Sequence, residues 1–179
     1  MKMLGESRAI ERLREIREEF RNEVSRYEVR AKNCGSCDTP GACCLDEHFV
    51  NVRITRLEAA AIGRVIDELP VSLQERVFRR VENAIKDYRL SDISNEKFAC
   101  PLFEKGVGCL VHSMAKPLPC IQHACYEKLE DLPPDELLIE AEAKIDRLNR
   151  RVYRDASATK PLPVAVKEPV VKSRASARP

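Results

Sequence analysis

Near the N-terminus, Ile10, Leu13, Ile16, Phe20, Val24 and Tyr27 recur at steps of three and four, which predicts one apolar face of an amphipathic helix. The opposite face carries charge. Glu11 and Arg14, Glu18 and Arg21, and Glu23 and Arg26 are spaced to pair along the helix surface. Too few clean heptads are present for a dimerising coiled coil, so the face is expected to cover a core or a partner. Further on, His48 to Ile54 alternates near period two, with Phe49 or Val50, Val52 and Ile54 apolar, and predicts a short strand. Thr55 with Glu58 forms a capping box that opens a helix through Ala59, Ile62, Val65 and Ile66, stopped by Pro70. Ser72 with Glu75 repeats the box before Val77, Val81, Ile85 and Tyr88, which predicts a helical hairpin. A last periodic stretch carries Leu137, Leu138, Ala141, Ile145, Leu148 and Val152 after Pro133 and Pro134, with Asp131 or the acidic first turn as its cap.

Composition narrows the picture. A chain of 179 residues fits one domain with a modest core of its own. Net charge is +2 with both signs interspersed, aromatic residues are 5% and Trp is absent, so neither a basic nucleic-acid surface nor a stacking platform is expected. Charges from Glu6 onward interrupt any signal-peptide run, and no segment approaches the length of a membrane span. The expected address is the cytoplasm. From Ala156 onward four prolines and five Lys or Arg against a single Glu168 predict a flexible basic tail. The expected organisation is therefore an N-terminal helix over 1–33, a cysteine-bearing domain over 34–155 and a tail over 156–179.

The candidate chemistry lies in eight cysteines. Cys34, Cys37, Cys43 and Cys44 form CGSCDTPGACC, and Cys100, Cys109, Cys120 and Cys125 follow among Pro101, Gly106, Gly108, Pro117 and Pro119. In a reducing compartment thiols grouped this tightly bind metal more often than they pair with each other, disulfides being the competing reading. Gly35 and Ser36 let the CxxC turn so that both sulfurs point inward, and Pro40 and Gly41 return the chain to the CC pair. Neighbouring side chains diverge in extended backbone, so Cys43 and Cys44 are expected to face opposite ways and serve one centre or two. Cys125 is either a ligand or a thiol opening the next element. His112 follows Cys109, and His123 follows Cys120, at CxxH spacing; a surface or supporting position is expected for both, and more so for His48. The expected fold is mainly α with a short strand or hairpin, a small domain organised around a cysteine-rich metal site.

CxxC followed shortly by CC, a strand, a helix opened by Thr, then CPLFEKGVGCLVH and KPLPC resembles the YkgJ-type CxxCxxCC cysteine-cluster family of zinc- or iron-chelating domains. The matching positions are Cys100, Pro101, Leu102, Cys109, His112, Pro117 and Cys120, and the resemblance spans about residues 34 to 125. Departures are the five-residue gap between CxxC and CC, Lys116 in place of Arg, and QHAC at residues 122 to 125. The resemblance implies chelation of zinc or iron, the latter alone or as an iron–sulfur cluster, and a structural or partner-recognition role with a protein partner. Because the family includes proteins similar to flagellin lysine N-methylase, it also admits an iron–sulfur enzyme of methyl-transfer or redox chemistry. Against an enzyme, the sequence has no phosphate-binding glycine loop, no HExxH and no carboxylate pair at a spacing that assigns acid and base.

Overall fold

The computed structural model describes residues 3–32, 41–45, 51–154 and 159–176. In chain order the elements are α1 (Glu6–Glu28), β1 (Ala31–Lys32), α2 (Ala42–Leu45), β2 (Arg53–Ile54), α3 (Arg56–Asp67) and α4 (Val71–Asp87). There follow β3 (Phe103–Glu104), β4 (Gly108–Cys109), α5 (Leu118–Gln122), β5 (Cys125–Tyr126), α6 (Asp135–Tyr153), β6 (Lys160–Pro161) and α7 (Leu162–Ser176). The protein is mainly helical, as the periodicity predicts. Its contacts divide it into two compact units, one of Met1–Pro40 with Pro117–Ala156 and one of Gly41–Lys116 with Ser157–Pro179. Each unit thus draws on two stretches of sequence, unlike the linear helix, domain and tail expected.

In the first unit α1 and α6 run antiparallel. The Leu4 amide donates to the Arg151 carbonyl at 3.1 Å, and Lys144 Nζ donates to Glu19 Oε2 at 3.2 Å. Ala9, Ile10, Leu13, Phe20 and Val24 are buried on α1, and Ala141, Ile145 and Leu148 on α6. Burying a large aliphatic or aromatic side chain contributes about 1.5–3 kcal/mol, so apolar contact is the main support of this pair. Arg17 is also buried on the α1 stripe, at the step after Leu13, where residue type concealed what position revealed. α6 begins after Pro134 with Asp135 and Glu136 in its first turn, which favours the dipole end; of the two caps expected, the acidic turn is the one present. α5 adds Leu118 and Ile121 to the core. β1 pairs antiparallel with β5, setting Ala31 opposite Tyr126 and Lys32 opposite Cys125.

In the second unit the Thr55–Glu58 capping box forms as expected. Glu58 N donates to Thr55 Oγ1 at 3.2 Å, and Thr55 N donates to Glu58 Oε2 at 2.9 Å. The Ser72–Glu75 box does not form. α4 starts two residues earlier, and the Pro70 carbonyl takes the amides of Leu73 and Gln74, leaving Ser72 inside the first turn. The strand expected over 48–54 is described from residue 51, with β2 antiparallel to β6; His48, Phe49 and Val50 lie outside the described residues.

The C-terminal segment corrects the expectation of a flexible tail. α7 packs along both α3 and α4, burying Leu162 and Val166 one turn apart, and the Leu162 amide is held by the Val52 carbonyl at 2.8 Å. Gly63 makes this approach possible, since a Cβ there would lie 2.6 Å from Pro169 Cβ. Prolines are frequent in this stretch, yet Pro163 sits in a first turn, where its missing N–H costs no helical bond, and only Pro169 falls inside the helix.

Candidate metal centre

Cys43 and Cys44 sit together on the single turn of α2. The turn is set by Gly41, whose φ of 83° is a left-handed value that L side chains rarely adopt. The Cys44 amide donates to the Gly41 carbonyl at 2.9 Å. A Cβ on Gly41 would overlap the ring of Phe103, so the same glycine seats α2 on the β3 strand. The Cys100 amide then donates to the Cys44 carbonyl at 2.7 Å, joining two segments far apart in sequence. From Cys100 a turn leads through Leu102, fully buried, into the β3–β4 hairpin, where Cys109 lies opposite Phe103. The hairpin closes over Gly106 and Gly108, both at positive φ.

Arg80 on α4 braces this loop. Its Nε donates to the Pro101 carbonyl at 2.8 Å and its Nη1 to Glu104 Oε2 at 2.6 Å, while Arg76 Nε reaches Glu104 Oε1 at 3.2 Å. The hydrogen bond from Arg80 is the main reason the Glu104 carboxyl titrates below its ordinary range. Sequence reading passed over these three residues. The available signal was the spacing of Arg76 and Arg80, one turn apart on a helix facing the cysteine loop.

The thiols feel one another. Cys44 is pushed up from an ordinary 9.0 to about 12, first by burial and then by Cys43, Cys100 and Cys109, with a hydrogen bond from the Cys44 thiol to the Cys43 side chain adding to the rise. Burial also raises Cys109, against a lowering by the Val111 backbone and by Lys116. Cys43, Cys44 and Cys109 are free thiols. Cys43 and Cys44 therefore do not face apart as expected: a helical turn rotates successive side chains by about 100° rather than 180°, and the two side chains hydrogen-bond to each other.

Two further cysteines, Cys120, half-buried on α5, and Cys125, exposed on β5, belong to the first unit. Beside them Gln122 Oε1 and Tyr126 Oη are buried without hydrogen-bond partners, and burial together with Glu28 raises the Tyr126 hydroxyl. His112 and His123 are both exposed. Cys34, Cys37 and His48 lie outside the described residues.

Among the described residues no group of three or more Cys, His, Asp or Glu side chains forms a ready coordination sphere. Cys43, Cys100 and Cys109 are near enough to Cys44 to oppose its ionisation, without forming such a sphere with it. Among the described residues, too, no helix is long and apolar enough to cross a membrane. Comparison of the chain with protein-family models, curated proteins and solved structures finds no match.

Proposed function

We propose that this protein binds zinc or iron through its cysteines, and that the metal fixes a surface for a structural or partner-recognition role in a reducing compartment. The reading rests on one observation: Cys43 and Cys44 meet Cys100 and Cys109 across a 2.7 Å backbone hydrogen bond from Cys100 to Cys44. Ionising thiols this close together is unfavourable unless a cation offsets the repulsion between the thiolates. A divalent or ferric ion does so by taking the thiolates as ligands, with each ligand thiol giving up its proton.

Cys120 and Cys125 point to a second centre, with Cys34 and Cys37 as its other donors. Cys34 and Cys37 lie outside the described residues and stand as donors through their CxxC spacing. An all-thiolate set suits zinc and iron–sulfur clusters alike.

The test is metal content in single variants purified without oxygen. Cys44→Ser and Cys100→Ser are expected to lose one ion or cluster and to keep the centre that involves Cys120, while Cys120→Ser does the reverse. Unchanged metal content in all three variants contradicts the proposal.

A further inference from the structure

The first unit carries a groove of about 680 Å³ between α1 and α6, lined by Arg12, Glu15, Ile16 and Glu19 on one side and by Lys144, Arg147, Leu148, Arg150 and Arg151 on the other. Five cations face two carboxylates there. Lys144 is paired with Glu19, and Arg150 with Asp146 of its own helix. Arg12, Arg147 and Arg151 have no carboxylate partner among the described residues, and Arg151 Nε is buried with no hydrogen-bond partner. The floor is apolar, with Leu148 buried and Ile16 half-buried.

We infer that this groove docks an acidic segment of a partner protein, its carboxylates taken by Arg12, Arg147 and Arg151 and an apolar side chain resting on Ile16 and Leu148. Guanidinium groups present planar donor forks that match carboxylates, and a donor already withdrawn from water gains most when an acceptor arrives. The apolar floor between the charged rows favours a peptide, which alternates charged and apolar side chains, over a nucleic-acid backbone. Glu15 and Glu19 argue the same way, since they would repel an unbroken run of phosphates, and no aromatic side chain lines the groove for bases to stack on. The docking surface uses none of the cysteines, so it stands or falls apart from metal binding.

The test is fluorescence anisotropy with the full-length, metal-replete protein and a labelled Glu-rich peptide carrying a few leucines. Controls are the same peptide with Gln for Glu and a single-stranded oligonucleotide of equal charge. Saturable binding of the acidic peptide is expected, lost near 1 M salt where the screening length falls to roughly 3 Å. In the Arg12→Glu/Arg147→Glu double variant, both positions being exposed, it should weaken at least about tenfold with the far-ultraviolet circular dichroism unchanged. Reversal of the exposed Arg79 on α4 should leave it intact. No saturation, equal binding of the Gln peptide, tighter binding of the oligonucleotide, or equal weakening by Arg79→Glu overturns the inference.

Discussion

The α1–α6 pair and the loops around Cys44 are held together by different means. The helix pair buries an apolar stripe interrupted by Arg17, and follows from the spacing of Leu13, Phe20, Val24, Ile145 and Leu148. The loops around Cys44 instead depend on three glycines at positive φ, an arginine brace and one backbone hydrogen bond, and they gather thiols that oppose one another as they ionise. Apolar burial can be regional and self-sufficient. A thiol cluster at the edge of a core is stable in proportion to what binds it.

The largest expected effect separates the two regions directly. Removing metal with a chelator should raise amide exchange throughout 41–45 and 100–115 while α1 and α6 keep their protection; uniform loss across both would break the comparison. In the opposite sense, Phe20→Ala should cost about 3–5 kcal/mol in chemical denaturation with metal bound or removed, because its cavity lies in the helix pair. A cost that appears only in the metal-free protein would contradict the separation.

Gly41→Ala acts on the thiol region. The left-handed backbone and the overlap with Phe103 should together cost about 1–3 kcal/mol and weaken metal binding, whereas Gly5→Ala, at a helix end with open space around it, should change stability by well under 1 kcal/mol. Equal stability and metal affinity in the two variants would remove Gly41 from the account.

The smallest expected effect is in pH. The Cys44 thiol is raised from 9.0 to about 12 in the folded chain, so the folded state holds a proton that the unfolded state releases. The metal-free protein should therefore be fully stabilised by this group below about pH 9 and lose that contribution as pH rises toward 12, with a fall in melting temperature on the order of a few degrees. Cys44→Ser should flatten the slope. Metal uptake should show the complementary sign, releasing protons and tightening as pH rises.

Where one residue's spacing to the next carries the information, the sequence was legible. The capping box at Thr55 and the stripes of α1, α3, α4 and α6 follow from local periodicity, and so does the grouping of thiols in the CC pair. What was not legible depends on distant partners. Nothing local tells that α7 finds α3 across Gly63, that Cys44 and Cys100 share a hydrogen bond, or that Cys120 and Cys125 lie in a different unit from Cys109. Ser72 misled because a serine three residues before a glutamate is a cap only if the helix starts there, and the carbonyl of Pro70 starts it sooner.

The central claim is that the cysteines hold metal, and elemental analysis combined with a visible absorption spectrum on protein purified without oxygen tests it most directly. The account predicts stoichiometric zinc in a colourless protein, or iron with acid-labile sulfide in a brown one, in either case reduced by Cys44→Ser. Protein that carries neither metal after anaerobic purification, and takes up neither when both are supplied, contradicts it.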